Sequence, residues 1–329
     1  MKVVRYYQYG DQSVLRYEHA ERPAPAAGQV LVQVAGSAFN PVDAAIRAGY
    51  LQDVFAVTFP HVPGFDVSGT VAAVGSAVTG LELGQAVVGL LPMNEGGAAA
   101  EYVLAPADAL TTAPTRIPLP EASALPSAGL TAWQALFEEA GRRPDQRILV
   151  VGAGGSVGGL AVQLAKSAGA YVIATASPRS ARTVRASGAD LVIDHTTESV
   201  PDSVGRPVDV VLNLAPISGP EQAALTRLVT AGGTFVTTVP PGPSEDAQAG
   251  VRVVNIFVRS DATELRELVA KVDAGQLRIV VSETRRLDEL RAIHAASDAG
   301  KLHGKVVVVP AGQFSAVTSV VDTHVKDTP

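Results

Sequence analysis

The sequence contains no cysteine. That absence removes disulfides, thiolate nucleophiles and cysteine-ligated zinc from consideration. Basic runs are missing too. The formal net charge is −6, and no cluster of Lys and Arg marks a nucleic-acid surface. No uninterrupted apolar stretch reaches the length of a membrane span. His19, His61, His195, His294, His303 and His324 are the only histidines, and they show no metal-ligand spacing. Charge is sparse at 18% of residues whereas hydrophobic residues make up 47%, so a large core is available. The opening Met1-Lys2-Val3-Val4 shows no signal-peptide pattern. A cytoplasmic protein with a small-molecule partner, and with neither nucleic acid nor membrane, is expected.

A length of 329 residues suggests two domains. The first third is β-rich: Val30–Val34, Val67–Gly75, Gln85–Leu90 and Ala99–Leu104 read as short strands punctuated by Pro and Gly. Near Pro118 the pattern changes to helices over Glu121–Pro126 and Thr131–Ala140, followed by regular strand–helix alternation. Strands are predicted at Ile148–Val151, Tyr171–Thr175, Leu191–Ile193, Val208–Asn213 and Gly233–Thr238. Helices fall between them at Val157–Ala168, Ser180–Ser187 and Glu221–Val229. This order predicts a doubly wound parallel sheet. Beyond Arg259 come helices over Thr263–Ala274 and Leu287–Ala299 and a last strand, Lys305–Val309. The simplest topology returns this tail to the first domain. It gives a β-rich domain of 1–117 and 259–329 and an inserted dinucleotide domain of 118–258, with a loose arm from Ala311.

The most informative segment is Ile148-Leu149-Val150-Val151-Gly152-Ala153-Gly154-Gly155-Ser156-Val157-Gly158. An apolar strand runs into clustered glycines, and a helical pattern follows at once. Such a turn aims the free N–H groups of a helix N-terminus at a pyrophosphate, and glycines let it approach the backbone. The spacing is A-x-G-x-x-G over Ala153, Gly155 and Gly158. Ala153, Gly154, Gly155, Ser156, Val157 and Gly158 are the expected phosphate cradle.

A ribose-reading residue is expected about 20 residues further on, at the end of the second strand. Ala174-Thr175-Ala176-Ser177-Pro178-Arg179-Ser180-Ala181-Arg182 contains no Asp or Glu. An acid would favour the 2′-hydroxyl of NADH and repel a 2′-phosphate, whereas Ser177 with Arg179 and Arg182 offers donors and positive charge. NADPH is the expected cofactor. The competing account makes both arginines ordinary solvated helix residues. Asn213, Thr237 and Thr238 end the next strands and should face the crevice at their carboxyl ends.

Further motifs are Ser37-Ala38-Phe39-Asn40-Pro41-Val42-Asp43, Phe59-Pro60-His61-Val62-Pro63-Gly64-Phe65-Asp66-Val67-Ser68-Gly69-Thr70-Val71, Gly129-Leu130-Thr131-Ala132-Trp133 and the ending Gly304-Lys305-Val306-Val307-Val308. Together, and in this order, they resemble the zinc-independent medium-chain dehydrogenase/reductases of the quinone oxidoreductase and enoyl reductase branch. The resemblance implies a GroES-like β domain closed by the C-terminal segment, plus a Rossmann domain. Zinc-dependent members carry Gly-His-Glu where this chain has Gly64-Phe65-Asp66, so no metal is expected.

Without a Lewis acid, acceptors that delocalise charge themselves are favoured. The resemblance therefore implies hydride transfer from NADPH to a quinone, or alternatively to the activated C=C bond of an enone. It places Asn40 and Tyr50 at the nicotinamide cleft. Asn40 either donates to the substrate carbonyl or holds the nicotinamide carboxamide. Tyr50 is either a proton donor or a packing residue. Asp43 reads as structural, and Thr131 as a contact to the cofactor phosphate or ribose. A homodimer joined through the Rossmann sheet edge is also implied. A non-catalytic NADPH-binding protein on the same fold is the further alternative.

Overall fold

The computed structural model describes residues 1–141, 145–239, 242–243 and 250–312. The arm expected from Ala311 falls almost wholly outside them. The chain divides into two compact units, residues 1–127 with 260–274 and 279–329, and residues 128–259 with 275–278.

The first unit holds β1 (Lys2–Arg5), β2 (Arg16–His19), β3 (Gln29–Ala38), α1 (Pro41–Ala48), β4 (Asp66–Val74), β5 (Ala86–Leu90), β6 (Tyr102–Pro106), β7 (Leu110–Thr112) and α2 (Leu119–Ala122). From the C-terminal part it takes α8 (Ala262–Asp273), β14 (Glu283–Arg286), α9 (Leu290–Asp298) and β15 (Val306–Val309). Its main sheet runs β14-β15-β3-β4-β5-β7, with β6 also paired to β3. Alternating valines of β3, β4 and β5 (Val30, Val32, Val34, Val67, Val71 and Val87) meet in one buried cluster. Each such side chain contributes on the order of 1.5–3 kcal/mol when fully buried. The last strand, β15, pairs antiparallel with β3 at Val307↔Ala38 and Val308↔Ser37. The C-terminal segment thus completes the sheet of the GroES-like domain. The unit also keeps α2, which lies past the change of pattern at Pro118 and packs on β3 and β4.

The second unit takes α3 (Pro126–Trp133) from residue 128 on, then β8 (Arg147–Val151), α4 (Ser156–Ser167), β9 (Tyr171–Ala176), α5 (Pro178–Ala186), β10 (Leu191–Asp194), α6 (Val200–Ser203), β11 (Val208–Asn213), α7 (Gly219–Thr226), β12 (Val229–Thr237) and β13 (Arg252–Asn255). Its strands are all parallel, in the order β10-β9-β8-β11-β12-β13. This is the Rossmann arrangement, with the order reversing between β8 and β11. The central strands are apolar on both faces because helices cover both sides of such a sheet.

Three helices differ from the sequence reading. Pro126 begins α3 instead of ending the helix before it, since proline is well accommodated in a first turn. That helix then widens into a π-helical turn over Gln134–Glu139. The helix expected over Glu221–Val229 is α7, shifted toward the N-terminus. Ser218 caps it, with the Glu221 carboxylate accepting from the Ser218 N–H at 2.8 Å, and Val229 is released to open β12.

Candidate active site

In the second unit, β8 ends at Val151 and α4 begins at Ser156, leaving a turn of 152–155. Its left-handed residue is Gly152 (φ 85°), one position before the Ala153 that the motif places first. The Gly152 N–H donates to Thr175 Oγ1 at 3.0 Å, tying the turn to β9. Gly155 caps α4. At Gly158 a Cβ would lie 2.4 Å from the Gly152 carbonyl oxygen, so only glycine lets the helix seat against the turn. The first N–H groups of α4, including those of Ser156 and Val157, have no intrahelical acceptor and carry the positive end of the helix dipole. This is a cradle for a pyrophosphate, and the residues present suit one.

The second strand ends beside this turn. A Cβ on Gly154 would come within 2.5 Å of Ser180 Oγ, which places the start of α5 against the glycines. Ser177 caps α5. Arg179 and Arg182 are exposed, and their side chains make no ion pair or hydrogen bond among the described residues. The structure also brings in His195, which sequence spacing missed. It follows β10, and its N–H donates to the Ala176 carbonyl at 3.2 Å, setting it next to Ser177. Its only signal in the sequence was its place directly after a strand. The nearby Asp194 carboxylate is taken up by the Thr196 N–H and hydroxyl, which hold it below the usual carboxylate range.

Asn213 and Thr237 end neighbouring strands and are fully buried. Asn213 Nδ2 donates to Thr237 Oγ1 at 3.2 Å, and the Thr238 N–H donates to the Asn213 carbonyl at 3.1 Å. These three residues join the strand ends β11 and β12. Thr131 is buried in α3.

In the first unit, Asn40 and Tyr50 stand at opposite ends of α1, separated by roughly 12 Å of helix. Tyr50 follows the left-handed Gly49 that ends α1, is 84% exposed, and its hydroxyl has no partner among the described residues. Asn40 is 9% exposed and lies in a polar network of nearly complete burial. Its Nδ2 donates to Asp66 Oδ2 at 2.9 Å and to the Ala38 carbonyl at 3.3 Å. Lys305 Nζ donates to Asn40 Oδ1 at 2.6 Å and to Asp66 Oδ2 at 3.2 Å. Asp66 Oδ1 accepts the Ser127 N–H at 2.7 Å. Asp43 accepts the backbone N–H groups of Asn40 and Gly64 at 2.7 and 3.0 Å. Burial pushes its carboxyl up to about 7 despite these donors. Asp43 thus holds the two flanking turns together.

Neither buried histidine of this unit makes a metal-like cluster. Burial pushes His61 down to about 4, and burial with the Arg47 charge pushes His294 down to about 3. Nε2 of His61 and both ring nitrogens of His294 have no hydrogen-bond partner among the described residues. Among the described residues, no three His, Asp or Glu side chains are grouped to hold a metal. Asp66 already faces an ammonium group, and its neighbour Phe65 offers no ligand atom, so these residues do not suit a divalent cation. Among the described residues, no helix is long and apolar enough to cross a membrane.

The sequence matches two domain families. The alcohol dehydrogenase GroES-like domain covers residues 26–115, and the zinc-binding dehydrogenase family covers 187–308. A chloroplast envelope quinone oxidoreductase homolog of Arabidopsis thaliana is 32% identical over 327 residues, spanning 94% of this chain and 98% of that protein. The 2-methylene-furan-3-one reductase of Solanum lycopersicum is 32% identical over 325 residues, spanning 94% of this chain and 79% of that protein. The quinone oxidoreductase structure from Coxiella burnetii superposes with a TM-score of 0.84 at 29% identity, covering 94% of this chain and 99% of the other.

Proposed function

The chain belongs to the medium-chain dehydrogenase/reductase family, on its quinone oxidoreductase and enoyl reductase branch, and from that premise we propose that it is a metal-free reductase passing hydride from NADPH to a quinone. The observation that carries the cofactor part is the turn 152–158, where glycines leave the helix N–H groups open to a pyrophosphate. Arg179 and Arg182 beside Ser177, whose side chains have no partner among the described residues, and the lack of an acid in the sequence at the end of β9 support NADPH over NADH.

When bound, the nicotinamide supplies the hydride. The chain's own residues bind and orient. The start of α4 holds phosphate, Ser177 and the two arginines meet a 2′-phosphate, and Asn40 is held rigidly by Asp66 and Lys305. A quinone spreads the incoming charge over its own carbonyl oxygens and asks little more of the protein.

The second reading is enone reduction, supported by the likeness to 2-methylene-furan-3-one reductase and by the exposed Tyr50 hydroxyl, free of partners among the described residues, as a proton source. NADPH deuterated at the reactive C4 position, offered with mixed enones and quinones, separates the two. Label on the β-carbon of a saturated ketone makes the enzyme an enone reductase, and Tyr50→Phe should then slow it. Cofactor consumption with quinones alone, unaffected by Tyr50→Phe, supports the first reading. Tight binding with no turnover makes the protein a non-catalytic NADPH binder.

A homodimer in the cytoplasm completes the proposal. Its support is the outer edge of β13, which pairs with no further strand among the described residues. Sedimentation as a monomer at micromolar concentration would refute the dimer.

A further inference from the structure

His195 stands near the glycine turn and has no part in the function proposed so far. The register of β9 and β10 pairs Asp194 with Ala176. The bond from the His195 N–H to the Ala176 carbonyl carries that parallel ladder one step further, which sets His195 opposite Ser177. Side chains along a strand alternate between its faces. Thr175 Oγ1 accepts the Gly152 N–H at 3.0 Å, so its face of β9 looks toward the glycine turn. Ser177 comes two positions later, still in extended backbone (φ −89°, ψ 165°), and lies on the same face. Two neighbouring strand ends thus bring a hydroxyl and an imidazole to one spot beside the cradle.

The charges around this spot are unevenly matched. On the turn that holds His195, the Asp194 carboxylate is taken up by the Thr196 N–H and hydroxyl at 3.0 and 2.6 Å. Glu198 accepts the Asp194 N–H at 3.0 Å and the Ser203 hydroxyl at 3.3 Å. Asp202 is exposed on α6, and the end of β9 and the turn 152–155 carry no charged residue. From α5 come Arg179 and Arg182, whose side chains have no partner among the described residues. The His195 ring, also exposed, makes no hydrogen bond among them either. Asp194 and Glu198 are engaged close to home, whereas three side chains able to carry positive charge have no acceptor. Such a set suits an anion, and imidazole is its one member whose charge ordinarily changes between about pH 5 and 8.

We propose that His195 reads the 2′-phosphate of NADPH together with Ser177, Arg179 and Arg182, and makes the preference for NADPH over NADH proton-linked. An imidazolium donates a charge-assisted hydrogen bond to a phosphate oxygen, and a neutral ring makes only a weaker one. The arginines keep their charge throughout and supply a constant share of the preference. NADH offers a hydroxyl at this place and gains little from the extra charge. A phosphate partner favours the charged ring, so NADPH binding takes up protons and weakens as pH rises. The phosphate monoester holds its second charge above about pH 6, so over the neutral range the histidine sets the slope. This inference rests on the NADPH reading above.

The test is the ratio of NADPH to NADH affinity, read by fluorescence titration from about pH 6.5 to about pH 8.5. In the wild-type protein the ratio should fall by about fivefold over this range, the value of one solvent-screened ion pair. His195→Gln keeps a donor without the charge, and its ratio should move by less than about twofold. His195→Arg carries a fixed charge and should hold the ratio near the wild-type low-pH value throughout. A merely structural histidine would change both affinities equally and leave the slope of the ratio alone. A flat wild-type ratio with NADPH still preferred, or a wild-type slope in either variant, overturns this inference and spares the cofactor reading. Equal affinity for the two cofactors at every pH overturns the NADPH reading. Failure of both to bind overturns the dinucleotide site itself, and in each of these last two cases this inference falls with it.

Discussion

The turn at 152–158 and the turn around Asn40 both follow a strand and open a helix, yet they are built from opposite materials. In the second unit the working atoms are backbone N–H groups, and side chains have been stripped away so that a ligand can approach. In the first unit the working atoms are side-chain atoms, and they are held by a buried cation, a buried carboxylate and two backbone amides. One site is made by leaving space and the other by filling it with charge. The first should be intolerant of added volume and indifferent to charge. The second should fail when a charge loses its partner.

Volume in the glycine turn gives the largest expected effect. Gly158→Val places atoms where the Gly152 carbonyl already lies, and dinucleotide binding should weaken by about a hundredfold or more. Fluorescence titration with NADPH checks this, and binding within a few-fold of wild type would remove the turn from the site. Charge in the polar network comes next. Asp66→Asn leaves Lys305 buried without its counter-ion and should destabilise the protein by about 3–5 kcal/mol in urea unfolding. Adding Lys305→Met should restore much of that. If the double variant is no more stable than the single one, the network is not organised around this pair.

His294 sharpens the contrast through pH. Its folded-state value of about 3 lies below the ordinary value near 6.5, so between these the unfolded chain binds more protons and stability rises with pH. Asp43, raised to about 7, has the opposite slope between about 4 and 7, but that slope is shared by wild type and variant. His294→Leu should therefore gain over wild type on the order of 2 kcal/mol at pH 5, relative to its difference at pH 8. Urea unfolding at the two pH values measures this, and a pH-independent difference would contradict it. The smallest effect is expected at the surface. Ser177→Ala with Arg179→Ala should reduce the preference for NADPH over NADH by about tenfold, since solvent screens these groups. Equal loss for both cofactors would return Arg179 to the role of a solvated helix residue.

The two regions were also unequally legible. Strand β11 is observed at the residues read from the pattern, and α4 and β9 within a residue, because an apolar run broken by glycines has few local alternatives. The glycine turn was legible for the same reason, although the left-handed position falls on Gly152 and not at Ala153. The network around Asn40 was only half legible. Asn40 and Asp43 share a local motif, whereas Asp66 is 26 positions from Asn40 and Lys305 is 265. Nothing in a Lys before four valines says that its ammonium group is buried. Tyr50, which the family resemblance sets beside Asn40, stands at the other end of α1.

Backbone requirements and the alternation of apolar segments were thus determined by the sequence alone, because they depend on neighbours a few residues away. The return of the tail to the first domain was legible, but only the tertiary structure decided that β15 pairs with β3, and with it that a lysine near the C-terminus donates to Asn40. Burial turns that contact from a weak surface pair into a constraint on the orientation of the Asn40 amide. Desolvation depends on every element packed around the group, which is a property of the folded chain and of no single segment of it.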